Sequence, residues 1–211
     1  MKTAIKAAIA LPITLTLTAL AATPSRAGSL TYATQVDSYI PGSGITEAYR
    51  KNTAGALGAP QLSYDSNKDF LSLGRGGEAI FSFGTLFGGK VSLWETTWGK
   101  KSSQSDYDER VAVFVGNLLN GKESDWLRIG EIWNIRDNAY RSATGASLSI
   151  GNNNAYQYLK VVDLTPRGNS DDGFDVNAVA VEAIPEPLTM SGLALGISGI
   201  MMARRRRVSK A

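Results

Sequence analysis

The chain of 211 residues contains no cysteine and no histidine. The absence of cysteine excludes disulfide bonds, so the stability of the folded state must come from packing. The absence of histidine excludes a Ser-His-Asp triad, a Cys-His dyad and a zinc site built on imidazole. Any metal ion would therefore be a hard cation that binds oxygen ligands, such as Ca²⁺.

The N-terminal segment has the three parts of a secretory signal peptide. Lys2 and Lys6 give a basic start, an apolar stretch covers residues 7–22, and Ser25-Arg26-Ala27 gives an exit with small residues at the first and third positions. This pattern predicts a signal peptide over residues 1–27 that signal peptidase cleaves after Ala27. The alternative is a retained membrane helix.

The C-terminal segment also has three parts. Pro185-Glu186-Pro187 should be extended, because each proline fixes φ and keeps the residue before it out of the helical region. Residues 188–203 carry no charge and predict a single membrane helix, although they fall short of the roughly 20 residues that span a bilayer comfortably. The basic residues that follow should stop transfer and stay on the cytoplasmic side. They are Arg204, Arg205, Arg206 and Arg207.

Taken alone, the apolar length and the basic flank are typical of an ordinary membrane anchor. With the Pro185-Glu186-Pro187 triplet in front of them, residues 184–211 resemble the PEP-CTERM sorting signal of bacterial surface proteins. The resemblance implies recognition by an exosortase in the membrane and cleavage near the triplet. It implies further that the protein is transiently anchored in the inner membrane and then moves to the cell surface or the extracellular matrix. In such systems the matrix is commonly exopolysaccharide, which is therefore the expected partner.

Between these ends lies one ectodomain, residues 28–183, which is large enough to bury a core. The whole chain has a formal charge of +3, from 22 basic and 19 acidic residues. Eight of the basic residues but only one acidic residue lie outside residues 28–184, so that segment has 14 basic and 18 acidic residues and a charge of −4. The basic surplus belongs to the targeting ends, and we expect no nucleic acid partner.

Short β-type runs separated by glycine turns indicate an all-β, antiparallel sandwich or barrel. Residues 44–56 are the candidate for a short helical piece. The expected strands are 70–73, 78–83, 90–95, 110–115, 126–129, 131–133, 156–163 and 175–182.

The order of these segments resembles the discoidin-like, galactose-binding-like domains of exported bacterial proteins. The segments that carry the resemblance are residues 54–60, 70–77, 110–116, 126–130 and 173–179. The resemblance implies an antiparallel jelly-roll β-sandwich. Gln61 departs from it, because many such domains carry aspartate after Ala-Pro, and this weakens a metal role for that loop.

An acidic turn is the candidate metal site. Asp171, Asp172 and Asp175 place three carboxylates within five residues, and Ca²⁺ would relieve their mutual repulsion. The alternative is a solvated turn that enters the last strand. Residues 65–69 begin like an EF-hand loop but lack its glycine and its final glutamate, so we interpret them as a turn. Structural Ca²⁺ is thus the one cofactor that the sequence suggests.

Aromatic residues are the candidate glycan site, because their rings pack against the apolar faces of sugars. Trp98, Tyr107 and Tyr140 are expected in loops, with Arg136 beside them as a hydrogen-bonding partner. Alternating strands should instead place Trp94, Trp126 and Tyr158 in the core.

The sequence as a whole indicates an exported surface protein that is not an enzyme and that binds or structures exopolysaccharide. One alternative is a structural or adhesive component that binds protein. Another is a carbohydrate-active enzyme that uses only carboxylates, for which Asp106, Asp108 and Glu109, with Glu95, are the residues available.

Overall fold

The computed structural model describes residues 30–62, 68–96, 109–140, 142–166 and 172–185. Three 3₁₀ turns, Ala48–Lys51, Thr53–Ala56 and Glu123–Asp125, are the helical elements of this part of the chain. Everything else that is regular is β-structure. The nine strands are β1 (Leu30–Tyr32), β2 (Gln35–Ile40), β3 (Leu71–Ser72), β4 (Glu78–Glu95), β5 (Arg110–Gly116), β6 (Trp126–Trp133), β7 (Ala146–Ser149), β8 (Tyr156–Asp163) and β9 (Asp175–Ala183).

The long strand β4 belongs to two antiparallel sheets. Its first part, up to Ser82, pairs with β2 on one side and β8 on the other. Its second part, from Phe87, pairs with β9 and β7. The first sheet has the order β2-β4-β8-β5-β6, and the second has β1-β9-β4-β7 with β3 also paired to β9. All of these strand pairs are antiparallel, so the predicted all-β sandwich class is confirmed.

The core lies between the two sheets. Phe81, Val113 and Leu159 from the first sheet pack in the same fully buried cluster as Leu93 and Val179 from the second. On β8, Leu159 lies between the half-buried residues Tyr158 and Lys160, as the period of two predicts for a sheet with one face exposed to solvent. Strand β9 is buried on both faces, because Ala178 and Ala180 pack against Trp94 in a second, smaller cluster.

Glycines allow the loops at one end of the sandwich to touch through their backbones. A Cβ atom on Gly77 would stand 1.9 Å from the carbonyl oxygen of Leu73 and 2.4 Å from the backbone nitrogen of Gly42. The backbone N–H of Gly42 donates to that same carbonyl oxygen at 2.8 Å. Only a residue without a side chain fits between these two segments.

Most of the predicted strands are found, with differences where glycine occurs. Residues 78–83 and 90–95 are parts of β4, and residues 126–129 and 131–133 are joined through Gly130 in β6. Strands β1, β2 and β7 were not expected. The predicted helical piece in residues 44–56 is confirmed by two 3₁₀ turns.

Both targeting segments lie outside the described residues. This holds for the signal peptide and Ala27, and for Glu186, Pro187, the helix over 188–203 and the arginines 204–207. Pro185 is the last described residue and is exposed. Among the described residues, none belongs to a helix that is long and apolar enough to cross a membrane.

Candidate functional site

A groove of about 550 Å³ opens on the outer side of the first sheet. Its walls come from β2, from the middle of β4 and from the start of β8. The lining residues are Gln35, Asp37, Ser82, Gly84, Thr85, Leu86, Gln157 and Tyr158. This volume is within the usual range for a site that holds a small ligand.

A break in β4 creates this groove. Ser82 pairs with Tyr158, but the next pair is Phe87 with Tyr156, so β4 advances five residues while β8 advances two. The extra residues form a bulge, which bends a strand and re-aims its side chains. Gly84, with φ of 69°, provides the left-handed conformation inside the bulge. The bulge therefore forms one wall of the groove beside Tyr158.

The groove combines hydrogen-bonding groups with one aromatic ring. Tyr158 is half-buried and Gln157 is exposed, so both are available to a ligand. Asp37 is half-buried, and its Oδ1 accepts a hydrogen bond of 2.9 Å from the side-chain nitrogen of Gln35. Its Oδ2 is buried and has no hydrogen-bond partner among the described residues. A buried acceptor without a donor costs about 1–3 kcal/mol, so this oxygen lowers the local stability and is not itself exposed to a ligand.

The predicted glycan residues do not form this groove. Trp98 and Tyr107 lie outside the described residues. Tyr140 lies between β6 and β7, outside the strands as predicted, but it is only 1% exposed, so its assignment to a glycan site is wrong. Its backbone forms a bridge with Glu95, which draws the ring into the interior. Arg136 is exposed, with 59% side-chain exposure, and lies over the ring of Trp133.

Tyr158 is the residue that sequence reasoning assigned to the core and that the structure places in the groove. Trp94 and Trp126 were also expected to be buried, and they are, with 3% and 8% exposure. The sequence signal for the groove is the glycine pair Gly88-Gly89 with Gly84 before it, which together mark an interrupted strand.

The predicted metal residues are associated with Arg50 instead. Its guanidinium forms an ion pair with Asp172 and stands 3.5 Å from Oδ2 of Asp175. Asp171 lies outside the described residues. Across the described part of the chain, no group of three or more Asp or Glu residues is arranged to hold a metal ion. The positive charge that Ca²⁺ would supply to Asp172 and Asp175 thus comes from Arg50.

Asp175 is a buried acid among other acids. Burial raises the pKa of its carboxyl group well above the usual range, and the nearby carboxylates of Glu109 and Asp163 raise it further, while Arg50 lowers it. Its Oδ1 has no hydrogen-bond partner within the described ranges. Burial together with Asp175 also raises the pKa of Tyr39 to about 12.

The chain matches no protein-family model and no curated protein. Among solved structures it is similar to the lectin domain of lectinolysin complexed with Lewis B antigen, at 13% identity over 76% of this chain and 95% of that chain, with a TM-score of 0.42. It is also similar to CBM32 of AlyQ in complex with 4,5-unsaturated mannuronic acid, at 10% identity over 70% and 95%, with a TM-score of 0.40. A third similar structure is reduced XRCC1 bound to DNA pol beta catalytic domain, at 14% identity over 74% and 100%, with a TM-score of 0.41. At these values the similarities carry no argument about function.

Proposed function

We propose that this protein is exported, processed by an exosortase, and binds polysaccharide at the cell surface or in the extracellular matrix through the groove on its sandwich domain. The proposal includes a discoidin-like character for that domain and no enzymatic activity. The groove carries the binding part of the proposal, and the terminal sequences carry the rest.

The groove suits a sugar because of its mixture of groups. The Tyr158 ring offers an apolar face for the C–H side of a pyranose. Gln35, Gln157 and Asp37 line the same space and offer donors and acceptors for hydroxyl groups.

The carboxylates favour binding over hydrolysis. Glycoside hydrolysis usually needs two carboxyl groups on either side of the scissile bond, about 5–10 Å apart. Asp37 is the single carboxylate among the eight residues that line the groove. Glu95 and Glu109 are 2% and 3% exposed, and neither of them lines it.

Localisation rests on the sequence. The signal peptide over residues 1–27 would direct export by way of signal peptidase, and the segment over 184–211 would present the Pro185-Glu186-Pro187 motif to an exosortase. Such a route leaves the sandwich domain outside the cell. A polysaccharide of the cell surface or matrix is the ligand that a sugar-binding groove would meet there.

The test is binding of the full chain, solubilised in a detergent without a sugar headgroup, to a panel of purified polysaccharides in native gels. We expect saturable retardation by at least one polymer, with no release of reducing sugar. Comparing Ca²⁺ with chelator tests the acidic turn, because dependence on Ca²⁺ would restore the predicted metal site. No retardation by any polymer would contradict the proposal, and release of reducing sugar would contradict its non-enzymatic part.

The protein-binding alternative has weaker support. The large exposed apolar side chains in the described stretches are Leu30, Ile40, Leu62, Leu86, Leu118 and Leu127. None of the nine described strands carries two of them, so none of these strands presents the apolar stripe that is typical of protein interfaces. Self-association of the full chain in the absence of polysaccharide would favour this alternative.

A further inference from the structure

Cations and aromatic rings alternate on the outer side of β5, β6 and β8 and in the turn after β6. We call this area the cation–aromatic surface. Its cations are Arg110, Arg128, Arg136 and Lys160, and its rings are Phe114, Trp126 and Trp133. It does not include any residue of the groove.

The strand register brings these side chains together. Arg110 pairs with Trp133, and its guanidinium lies 4.7 Å from the centre of that ring. Arg136 lies 4.2 Å from the same ring centre. Phe114 pairs with Lys160, whose ammonium group lies 5.1 Å from the centre of the Phe114 ring. The same ammonium group is 4.7 Å from the ring of Trp126. The packed rings therefore hold these cations in place.

Within the described residues, two carboxylates form ion pairs with the arginines of this surface. Glu131 is 4.0 Å from Arg110 and also pairs with Arg128, while Asp137 pairs with Arg136 at 3.2 Å. The balance of the four cations and these two carboxylates is +2, on a segment whose total charge is −4. These ion pairs are partly exposed, with side-chain exposures between 31% and 59%. Such pairs are weak, about 0–1 kcal/mol each, so a ligand can replace them.

The cation–aromatic surface also has more donors than acceptors. The indole N–H of Trp133 is buried and finds no hydrogen-bond partner in the described ranges. Its neighbours Arg110 and Arg136 are themselves donors only. Glu131 and Asp137 balance only part of the positive charge, so a further oxygen with negative charge would accept from the guanidinium groups and offset the rest.

We propose that the cation–aromatic surface is a second polysaccharide site, selective for anionic polymers that carry carboxylate or sulfate groups. Its guanidinium and ammonium groups bind the anionic substituents, and the ring faces and edges around them contact the sugar backbone. This site shares no lining residue with the groove, which adjoins it on β8, where Tyr158 and Lys160 lie two residues apart. It recognises a different feature of a polymer, namely its charge.

The spacing of the cations favours a polysaccharide over nucleic acid. Arg128 and Lys160 pair with Phe114 from the two strands beside it, and because neighbouring strands lie about 4.8 Å apart, the backbones of these two cations are about 10 Å apart. A polymer with one charge per sugar suits that spacing, whereas duplex DNA presents a charge about every 1.7 Å of its axis. Predicted export also places the surface where acidic polysaccharides, and not genomes, are the abundant polyanions.

The test compares two polymers with one backbone. Polygalacturonate and its fully methyl-esterified form differ in whether the carboxyl groups are charged. Binding of the full chain is measured by calorimetry at low salt, again in a detergent without a sugar headgroup. We expect the charged form to bind about tenfold more tightly, and Arg136→Ala and Lys160→Gln each to weaken it about three- to fivefold. Lys90→Gln is the matched control, because Lys90 is a 47% exposed cation beside Glu182, outside this surface, and it should leave binding unchanged.

The groove and the cation–aromatic surface fail in different ways. Equal binding of the two polymers would overturn the proposal of an anionic site. If Tyr158→Ala then abolished the binding of both polymers, the groove proposal would still stand. Selective binding of the charged form that survives Tyr158→Ala but falls in Arg136→Ala would support the anionic site alone. Tighter binding of duplex DNA, or of phosphatidylglycerol vesicles, than of polygalacturonate would also overturn it, since the surface would then recognise phosphate.

Discussion

The carboxylate of Asp163 holds the backbone of Phe174, whose N–H donates to Oδ1 at 3.0 Å. The other oxygen, Oδ2, accepts from the backbone N–H of Gly76 at 3.0 Å. Thr165 adds two more donors, its backbone N–H at 3.1 Å and its hydroxyl at 2.7 Å. With 3% exposure, this one side chain joins the loop before β4, the end of β8 and the entry to β9.

We expect Asp163→Ala to lower the free energy of unfolding by about 3 kcal/mol or more, because each buried donor left without an acceptor costs about 1–3 kcal/mol. Asp163→Asn keeps one acceptor oxygen and should cost less. Chemical denaturation of the full chain measures both. Glu47→Ala is the control for loss of a carboxylate, because Glu47 is exposed. Equal stability of Asp163→Ala and Glu47→Ala would show that the contacts of Asp163 do not hold these loops.

Asp175 should make the stability depend on pH. Its pKa is raised in the folded state, mainly by burial, so the folded protein holds a proton that the unfolded chain releases at lower pH. The stabilisation is therefore present below the unfolded pKa, near 4, and is lost as pH rises through the folded pKa. The expected slope is at most about 1.4 kcal/mol per pH unit. Asp175→Asn should flatten this slope in denaturation curves taken from pH 4 upward, and an unchanged slope would assign the pH dependence to other groups.

Gly77 is predicted to tolerate no side chain. In Gly77→Ala the new Cβ would overlap the backbone of Leu73 at 1.9 Å, so we expect a loss of about 4 kcal/mol or failure to fold. Gly58→Ala provides the comparison, because Gly58 has φ of 77° and open space around it, and the left-handed conformation alone should cost about 1–2 kcal/mol. Thermal unfolding of the two variants compares the stability lost to atomic overlap in Gly77→Ala with the stability lost to backbone strain in Gly58→Ala. A smaller loss in Gly77→Ala than in Gly58→Ala would mean that the two loops can move apart.

The C-terminal motif is predicted to decide where the protein goes. Pro185→Ala combined with Glu186→Ala should leave the precursor uncleaved and held in the membrane. Cell fractionation with an antibody against the sandwich domain measures the cleavage and the location of the protein. Thr189→Ser serves as a control in the same segment. Normal maturation and release of the double variant would show that the segment is an ordinary membrane anchor.

Regular strands were predictable because they are short runs of apolar, β-branched and aromatic residues bounded by turn signals. Strands β5, β8 and β9 fall within one residue of the predicted ranges. By contrast, three of the six residues of β2 (QVDSYI) and three of the four residues of β7 (ASLS) are polar or small. They are strands because β4 offers them its edges, which is a tertiary effect and leaves little trace in local sequence.

The groove was not predictable from periodicity. Tyr156 and Tyr158 are two residues apart, so simple alternation places both rings on one face. In the structure Tyr156 is 7% exposed in the core, whereas Tyr158 is half-buried in the groove. The bulge opposite them changes the alternation, and its position depends on how β4 passes from one sheet to the other. Arg136, which the sequence did suggest, is exposed but belongs to the cation–aromatic surface instead of the groove.

The most direct test of the account is the affinity of Tyr158→Ala for the polysaccharide that retards the full chain most strongly. Tyr49→Ala is the matched control, because Tyr49 is also a half-buried tyrosine and packs against Phe70 outside the groove. We predict that Tyr158→Ala binds about tenfold more weakly, a loss of about 1.4 kcal/mol, while Tyr49→Ala binds as the unchanged protein does. Full affinity in a folded Tyr158→Ala protein would contradict the claim that the groove is the polysaccharide site.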